Sequence, residues 1–514
     1  MTKGPNFMPP SQDSQIHMDQ IKRAAWAACD AFRGAVDAGQ YKDYILVMLF
    51  LKYISDTNRA HRKQLELKYA GDTVRLAREL QRERFQIPAG ASFYDLFAQR
   101  GADNVGELIN AALESIEAAN RTKLGGVFRN IDFNSESNLG RKADRNRRLK
   151  AVLEDFGKPE LDLDPSRVSE DIIGECYIYL ISQFASDAGK KAGEFYTPSS
   201  MSVLLAKLAA PKPGDKIFDP SCGSGSLLLK AAAEVGSPNF ALFGQEVNGA
   251  TWALARMNMF LHAQDSSVIK WCDTLNSPEL TENGRLMQFD RVVANPPFSL
   301  DKWGHEGAAA DPFARYSRGI PPKSAADYAF VTHVVESLKP GKGVGAMIVP
   351  HGVLFRGAAE GKIRKALLEE NLIDAVIGLP EGMFSSTGIP VAILVIDRSR
   401  EQGGANANRK DVLFIDASRE FLEGKAQNVL TSVHIDKIVA VYRERREVEK
   451  YSQAASLDEI KENDFNLNIP RYVDTFEAEA VVDIAKVQQE IIDLEKKQDE
   501  LRVKMNQHLK ELGL

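Results

Sequence analysis

Cysteine is scarce in this sequence, long apolar runs are missing, and neither sign of charge dominates. The four cysteines, Cys29, Cys176, Cys222 and Cys272, form no Cys-x-x-Cys pair and have no histidine at metal-ligand spacing. A zinc centre or a disulfide framework is therefore not expected, no metal-ligating residues are assigned, and the thiols fit a reducing cytoplasm. The longest early apolar run, "YILVMLFL" at 44–51, is closed by Lys52 and falls well short of the roughly 18 residues of a membrane span. No basic-then-apolar leader with a small-residue cleavage site stands in "MTKGPNFMPPSQDSQIH", so neither export nor membrane insertion is expected. A net charge of -6 provides no overall basic surface for nucleic acid, so DNA handling would need a local patch or a partner's charge.

What is present is enough for a sizeable core: 44% of the 514 residues are hydrophobic, which allows two to four domains. From Met18 to about Phe156 the apolar spacing is helical, as in "YKDYILVMLFLKYISD" and "VGELINAALESIEAAN", and an all-helical first domain over 1–166 is expected. Within it, six of the ten residues from Arg141 to Lys150 are Lys or Arg, which reads either as a solvated helix face or as a phosphate-contacting patch. After Arg167 short β-branched runs alternate with helical ones. The strand candidates are 216–219, 241–246, 268–273, 291–295, 344–350, 373–380 and 391–398. Such alternation predicts an open, mostly parallel α/β sheet covered on both faces, over 167–473. A loop without a helix joins the last two candidates, which predicts an antiparallel edge there. In 474–514, Ile484, Val487, Ile491, Leu494, Leu501, Met505 and Leu512 follow a three-four spacing. This long amphipathic helix either packs on its own chain or offers its seam to another subunit.

Ligands of an open parallel sheet bind outside the carboxyl ends of its strands. Four successive ends carry Asp219, Glu246, Asp273 and Asn295, spaced 27, 27 and 22 residues apart, so all four are expected to face one crevice. The first opens "FDPSCGSGSLLLKAA", where Gly223 and Gly225 permit a tight turn before a helix. Asp219 ahead of that turn favours a ligand with a cationic group over a phosphate. Glu246 is placed to accept from two ribose hydroxyls, and Asp273 from an exocyclic adenine amine. An adenosine that carries an amino acid instead of phosphates is S-adenosylmethionine. Each acid alone also reads as a helix cap or surface carboxylate; their repeated placement is what carries the reading.

The fourth end is "NPPF", Asn295, Pro296, Pro297 and Phe298. Two prolines fix the backbone and remove competing N–H groups, leaving the Asn295 side-chain oxygen and the Pro296 carbonyl as an acceptor pair for an NH2 group. Acceptors on the hydrogens of an aryl or amide nitrogen help localise its lone pair. Phe298 supplies a face for a planar substrate.

"GEFYTP" (193–198), "FDPSCGSGSLL", "GQEVN", "WCDTL" and "NPPF", in this order, resemble the amino-methylating, adenine-specific DNA methyltransferases. With the helical first domain, "LPEGMFSSTGIPVAILVIDR" and "FNLNIPRYV" before a terminal helix, the whole chain resembles the modification subunit of type I restriction-modification systems. The resemblance implies a Rossmann-like methyltransferase sheet and S-adenosylmethionine as cofactor. Tyr196, Thr197 and Pro198 then border its methionine end, Asp219, Gly223 and Gly225 form its main loop, Glu246 meets the ribose and Asp273 the adenine. Glu194, Ser221 and Ser226, in the same motifs, join the cofactor-binding set. Asn295, Pro296, Pro297 and Phe298 hold a flipped adenine of double-stranded DNA. Cys222 departs from the small residues usual after "DPS" and reads as a packed side chain. The implied partners are a sequence-specificity subunit and an ATP-dependent restriction subunit, with two copies of this chain per cytoplasmic complex. Two alternatives compete: a methyltransferase for glutamine amides or ribosomal RNA amines, and a non-catalytic cofactor-binding DNA clamp.

Overall fold

In the computed structural model, residues 12–34, 36, 38–188, 196–384, 388–424, 427–474 and 484–512 are described. The chain forms two compact units, Met1–Val473 and Asp474–Leu514.

Parallel strands need crossovers of a dozen or more residues, and this chain supplies them mostly as helices. The strands are β1 (Lys216–Asp219), β2 (Ala241–Glu246), β3 (Val268–Trp271), β4 (Thr281–Glu282), β5 (Arg285–Leu286), β6 (Arg291–Ala294), β7 (Val344–Pro350), β8 (Ile373–Gly378), β9 (Val391–Asp397), β10 (Asp411–Asp416) and β11 (Ser452–Ser456). β4 and β5 make a separate hairpin, and the other nine form one sheet in the order β11-β10-β8-β9-β7-β6-β1-β2-β3. β1 pairs in parallel with β2 on one side and β6 on the other, so the strand order reverses at β1, where such folds open a crevice.

Successive side chains of a strand face opposite sides of the sheet, and the two cores follow that alternation. Ile217 and Val293 join helices Ser199–Ala209 and Ser226–Glu234 on one face. Phe218, Val292 and Ala294 join helices Asp327–Ser337 and Ala358–Glu369 on the other.

The expected antiparallel pairing is found, but not at an edge. β9 runs antiparallel between β7 and β8, and the sheet continues past β8 through β10 to the edge strand β11, both of which sequence reading passed over. The crossover from β7 to β8 leaves one strand's width, and the short return from β8 fills it. The signal was available in the near-continuous apolar run "VAILVID", whose seven residues are all buried, the pattern of a strand covered on both faces.

The amino-terminal half of the first unit is helical. Helix Val105–Ala119 buries Val105, Ile109, Ala112, Leu113 and Ile116, a stripe of three-four spacing that faces the core. The same core takes in Leu180 and Phe184 of helix Glu170–Ala188, and Leu254, Met257 and Phe260 of helix Gly249–Leu261. Residue 166 therefore marks a change of grammar but no break in packing. Arg84 spans the two regions, giving hydrogen bonds to Glu170 at 2.7 Å and to Asp265 at 2.9 Å.

The basic stretch does not present one cationic face. Arg145 is buried and donates to the Asn134 carbonyl at 2.9 Å, Arg148 donates to that of Leu139, and Arg147 pairs with Asp144. Of the terminal unit, helix Ile484–Glu511 is described; its Ile491, Leu494, Leu501 and Met505 are exposed, as is Leu512 just beyond it. Among the described residues no helix is long and apolar enough to cross a membrane.

Candidate active site

The sheet brings the four strand ends together. β6, β1, β2 and β3 are neighbours and parallel, so Asn295, Asp219, Glu246 and Asp273 lie along one edge. Asp219 and Glu246 end their strands, whereas Asn295 and Asp273 stand one and two residues beyond theirs.

The turn after β1 follows from its glycines. Gly223 (φ 53°) and Gly225 (φ 77°) adopt left-handed backbone, which side chains other than glycine's disfavour. A Cβ on Gly225 would come within 2.6 Å of Met259. The Gly223 amide donates to Glu246 Oε2 at 3.0 Å, and the Asn248 amide to Oε1 at 2.8 Å. Glu246 thus braces the loop through both oxygens. Ser226 is buried against Ser224, their hydroxyls 3.0 Å apart. Ser221 Oγ is buried without a hydrogen-bond partner.

Asp219 is fully buried. It accepts from the Ser221 amide at 2.9 Å and has no basic partner among the described residues. Burial pushes its carboxyl up to about 8, the nearby Glu246 charge adds to this, and the Ser221 hydrogen bond opposes it. A buried acid with no cation beside it among the described residues, an unpartnered hydroxyl and a turn with glycine at two positions suit a ligand with an ammonium group. Cys222 is buried with its thiol pushed well up by burial and by Asp219 and Glu246, and its sulfur lies 2.9 Å from where a Cβ on Gly244 would stand. It packs, and its protonated thiol is a poor nucleophile.

Asp273 is more occupied than its placement in sequence indicated. Its Oδ1 accepts from the Leu275 and Asn276 amides, and its Oδ2 from the Asn276 side chain at 2.8 Å. Beneath it, sequence reading missed a polar brace. Thr274 Oγ1 donates to the Pro220 carbonyl and accepts from Gln245 Nε2 at 2.9 Å, tying three strand ends together. Arg315, from the loop after "NPPF", donates to the Thr274 carbonyl at 2.9 Å and to that of Leu275 at 2.8 Å, and pairs with Asp311. Polar side chains isolated in a sequence give no sign of such convergence.

Asn295 Nδ2 donates to Thr197 Oγ1 at 3.1 Å, while Asn295 Oδ1 is buried without a partner. Pro296 is buried and Pro297 exposed. Phe298 is half-buried, edge-to-face with Phe384 at 5.9 Å. The Ser299 amide donates to buried Asp327, which also pairs with Arg356; this anchor of the turn was likewise missed. Pro198 is buried as the N-cap of helix Ser199–Ala209, and Tyr196 packs against both the helical core and the sheet core. Glu194 lies outside the described residues. Among the described residues no group of three or more His, Cys, Asp or Glu is placed to hold a metal ion.

Comparison with known proteins agrees with this geometry. Residues 168–480 match the N-6 DNA Methylase family, and residues 21–156 match the HsdM N-terminal domain. The chain is 31% identical to the type I restriction enzyme MpnII methylase subunit of Mycoplasma pneumoniae, over 96% of each chain. It is 30% identical to the MjaVIII methylase subunit of Methanocaldococcus jannaschii, covering 93% of this chain and 82% of that protein. The solved structure of the type I restriction-modification methyltransferase subunit from Streptococcus thermophilus superposes with a TM-score of 0.79 at 38% identity, over 89% of this chain and 100% of that one. The chain belongs to the N-6 DNA methylase family, as a methylase subunit of type I restriction enzymes that methylates adenine in DNA with S-adenosylmethionine as methyl donor.

Proposed function

We propose a division of labour along the crevice, with cofactor over β1, β2 and β3 and the target adenine at the end of β6. Asp219 meets the cofactor's ammonium, Glu246 its ribose, and Asp273 its adenine. Glu194, Tyr196, Thr197, Pro198, Ser221, Gly223, Gly225 and Ser226 line the rest of its site. When bound, the cofactor supplies an electrophilic methyl group. The chain's own residues hold and activate the acceptor nitrogen.

One observation carries the reading: Asn295 Oδ1, buried and unpartnered at the strand end next to the cofactor strands. A buried acceptor without a donor costs about 1–3 kcal/mol, and an exocyclic amine is the donor that completes it. With the Pro296 carbonyl as second acceptor, both amine hydrogens are engaged and the nitrogen lone pair becomes more available. Phe298 stacks the base, which leaves the duplex to arrive there. Because Oδ1 is shielded from solvent, an amine reaches it only by displacing the atoms that cover it. Base entry and a rearrangement at the crevice mouth are therefore one event.

The partners follow from charge and from the terminal seam. A chain of net charge -6 relies on borrowed basic surface for double-stranded DNA. An amphipathic helix gains most of its stability from packing, and helix 484–511 finds this against helices of a separate sequence-specificity subunit. An ATP-dependent restriction subunit and two copies of this chain complete the assembly. The family match over most of the chain favours DNA over the glutamine-amide and ribosomal RNA readings, and intact Asn295 and Phe298 speak against a non-catalytic clamp.

Calorimetry with paired variants tests the division. Glu246→Ala should weaken cofactor binding. Asn295→Ala should keep affinity within about threefold of the parent and lose transfer, with a transition-state cost of roughly 3–4 kcal/mol. Equal loss of cofactor affinity in both variants overturns the assignment.

A further inference from the structure

We infer that Thr197 is a positioning residue that fixes which end of the Asn295 amide is left for the substrate amine; this rests on the reading of Asn295 as that amine's acceptor. The two ends of a carboxamide are nearly equal in shape and opposite in hydrogen-bonding sense. Turned the wrong way, Asn295 would set N–H groups against the N–H groups of the base, and the acceptor would be lost without any change in packing. The sheet fixes the Asn295 backbone but not the rotation of its amide.

Thr197 provides that restraint. Its Oγ1 accepts from Asn295 Nδ2 at 3.1 Å, and the end left over is Oδ1, buried and unpartnered. A hydroxyl can serve either end of an amide; here it accepts, so the amide's nitrogen is the end that is held. The anchor is itself held. Thr197 directly precedes buried Pro198, the N-cap of helix Ser199–Ala209, and Ser202 Oγ lies 3.4 and 3.3 Å from the Thr197 and Pro198 carbonyls. That helix packs through Leu204 and Leu205 into the sheet core that contains Val293 of β6. Hydroxyl and amide, 98 residues apart in sequence, are thus positioned by one packed layer. Proximity to the methionine end of the cofactor alone would not require this contact.

Thr197→Val keeps the shape and removes the oxygen, while Thr197→Ser keeps the oxygen and removes a methyl group. Three quantities are measured on the full chain: cofactor affinity by calorimetry, melting temperature, and the rate of methyl transfer to duplex DNA at saturating cofactor with its specificity partner present. The expected result is a rate at saturating cofactor about tenfold or more lower in Thr197→Val, over and above any change in cofactor affinity, with most of that rate restored in Thr197→Ser. A parental rate in Thr197→Val, a serine variant no better than valine, or a loss carried wholly by cofactor affinity would each overturn the inference. Asn295→Ala is assayed alongside. If it transfers methyl groups normally, the reading of Asn295 itself fails; if it is inactive while Thr197→Val keeps the parental rate, only the role of Thr197 fails.

Discussion

Asp219 combines full burial with a carboxylate neighbour and no cation, and this sets a pH dependence that can be measured. In the folded, ligand-free protein its carboxyl is protonated below about 8, whereas an unfolded chain ionises it near the usual 3.8. A group whose folded pKa is raised contributes its stability fully below the unfolded value and loses it as pH climbs through the folded one. The melting temperature of Asp219→Asn minus that of the parent should therefore grow from pH 5 to pH 8 and level off above. Because an ammonium favours the ionised acid, parental cofactor affinity should rise with pH toward 8, by up to about tenfold per unit, and Asp219→Asn should flatten that slope. A slope identical in both proteins would detach Asp219 from the ammonium. At this scale the sequence was informative where an acid or amide closes a strand, as at Asp219, Glu246 and Asn295. It was silent on how far Asp273 is engaged by its own loop, and on the Thr197 contact, because such pairings are made by folding rather than by spacing.

The elements that carry these residues were largely legible, since alternation of β-branched runs with helical ones states an α/β sheet almost directly. Helix Gly249–Leu261 and helix Asp327–Ser337 are two of the helical runs between the strands. β9 was expected at an edge because of its short connection, although the near-continuous apolar run "VAILVID" suits a strand covered on both faces. The loop after "NPPF" is rich in Gly, Pro and Ala, a composition that gives no sign that it delivers Arg315 to the carbonyls of Thr274 and Leu275. The Arg315 and Asp311 side chains are almost wholly buried together, and removing one partner of such a pair costs about 3–5 kcal/mol. Arg315→Ala should therefore lower the melting temperature markedly. By releasing the Thr274 and Leu275 carbonyls it should also weaken cofactor binding more than it changes base capture at Asn295. Unchanged calorimetric affinity in a folded Arg315→Ala protein would show that the loop after Asp273 holds its shape unaided.

At the scale of the molecule, one first unit contains both the helical region and the sheet, joined by a shared core and by Arg84, while the terminal helix forms a unit of its own. Truncation after Asp474 should leave the melting temperature and cofactor affinity of the remaining chain close to the parent's and abolish co-purification with the specificity subunit. A large fall in melting temperature with partner binding preserved would assign the seam to the chain's own core. The account rests most heavily on the chemistry at the end of β6. Its most direct test is transfer of a labelled methyl group from S-adenosylmethionine to duplex DNA by the full chain with its specificity partner, followed by digestion to nucleosides. The label should appear in N6-methyldeoxyadenosine for the parent and be absent for an Asn295→Ala protein that still binds cofactor. Label on cytosine, on RNA or on protein glutamine, or undiminished labelling by the Asn295→Ala protein, would contradict it.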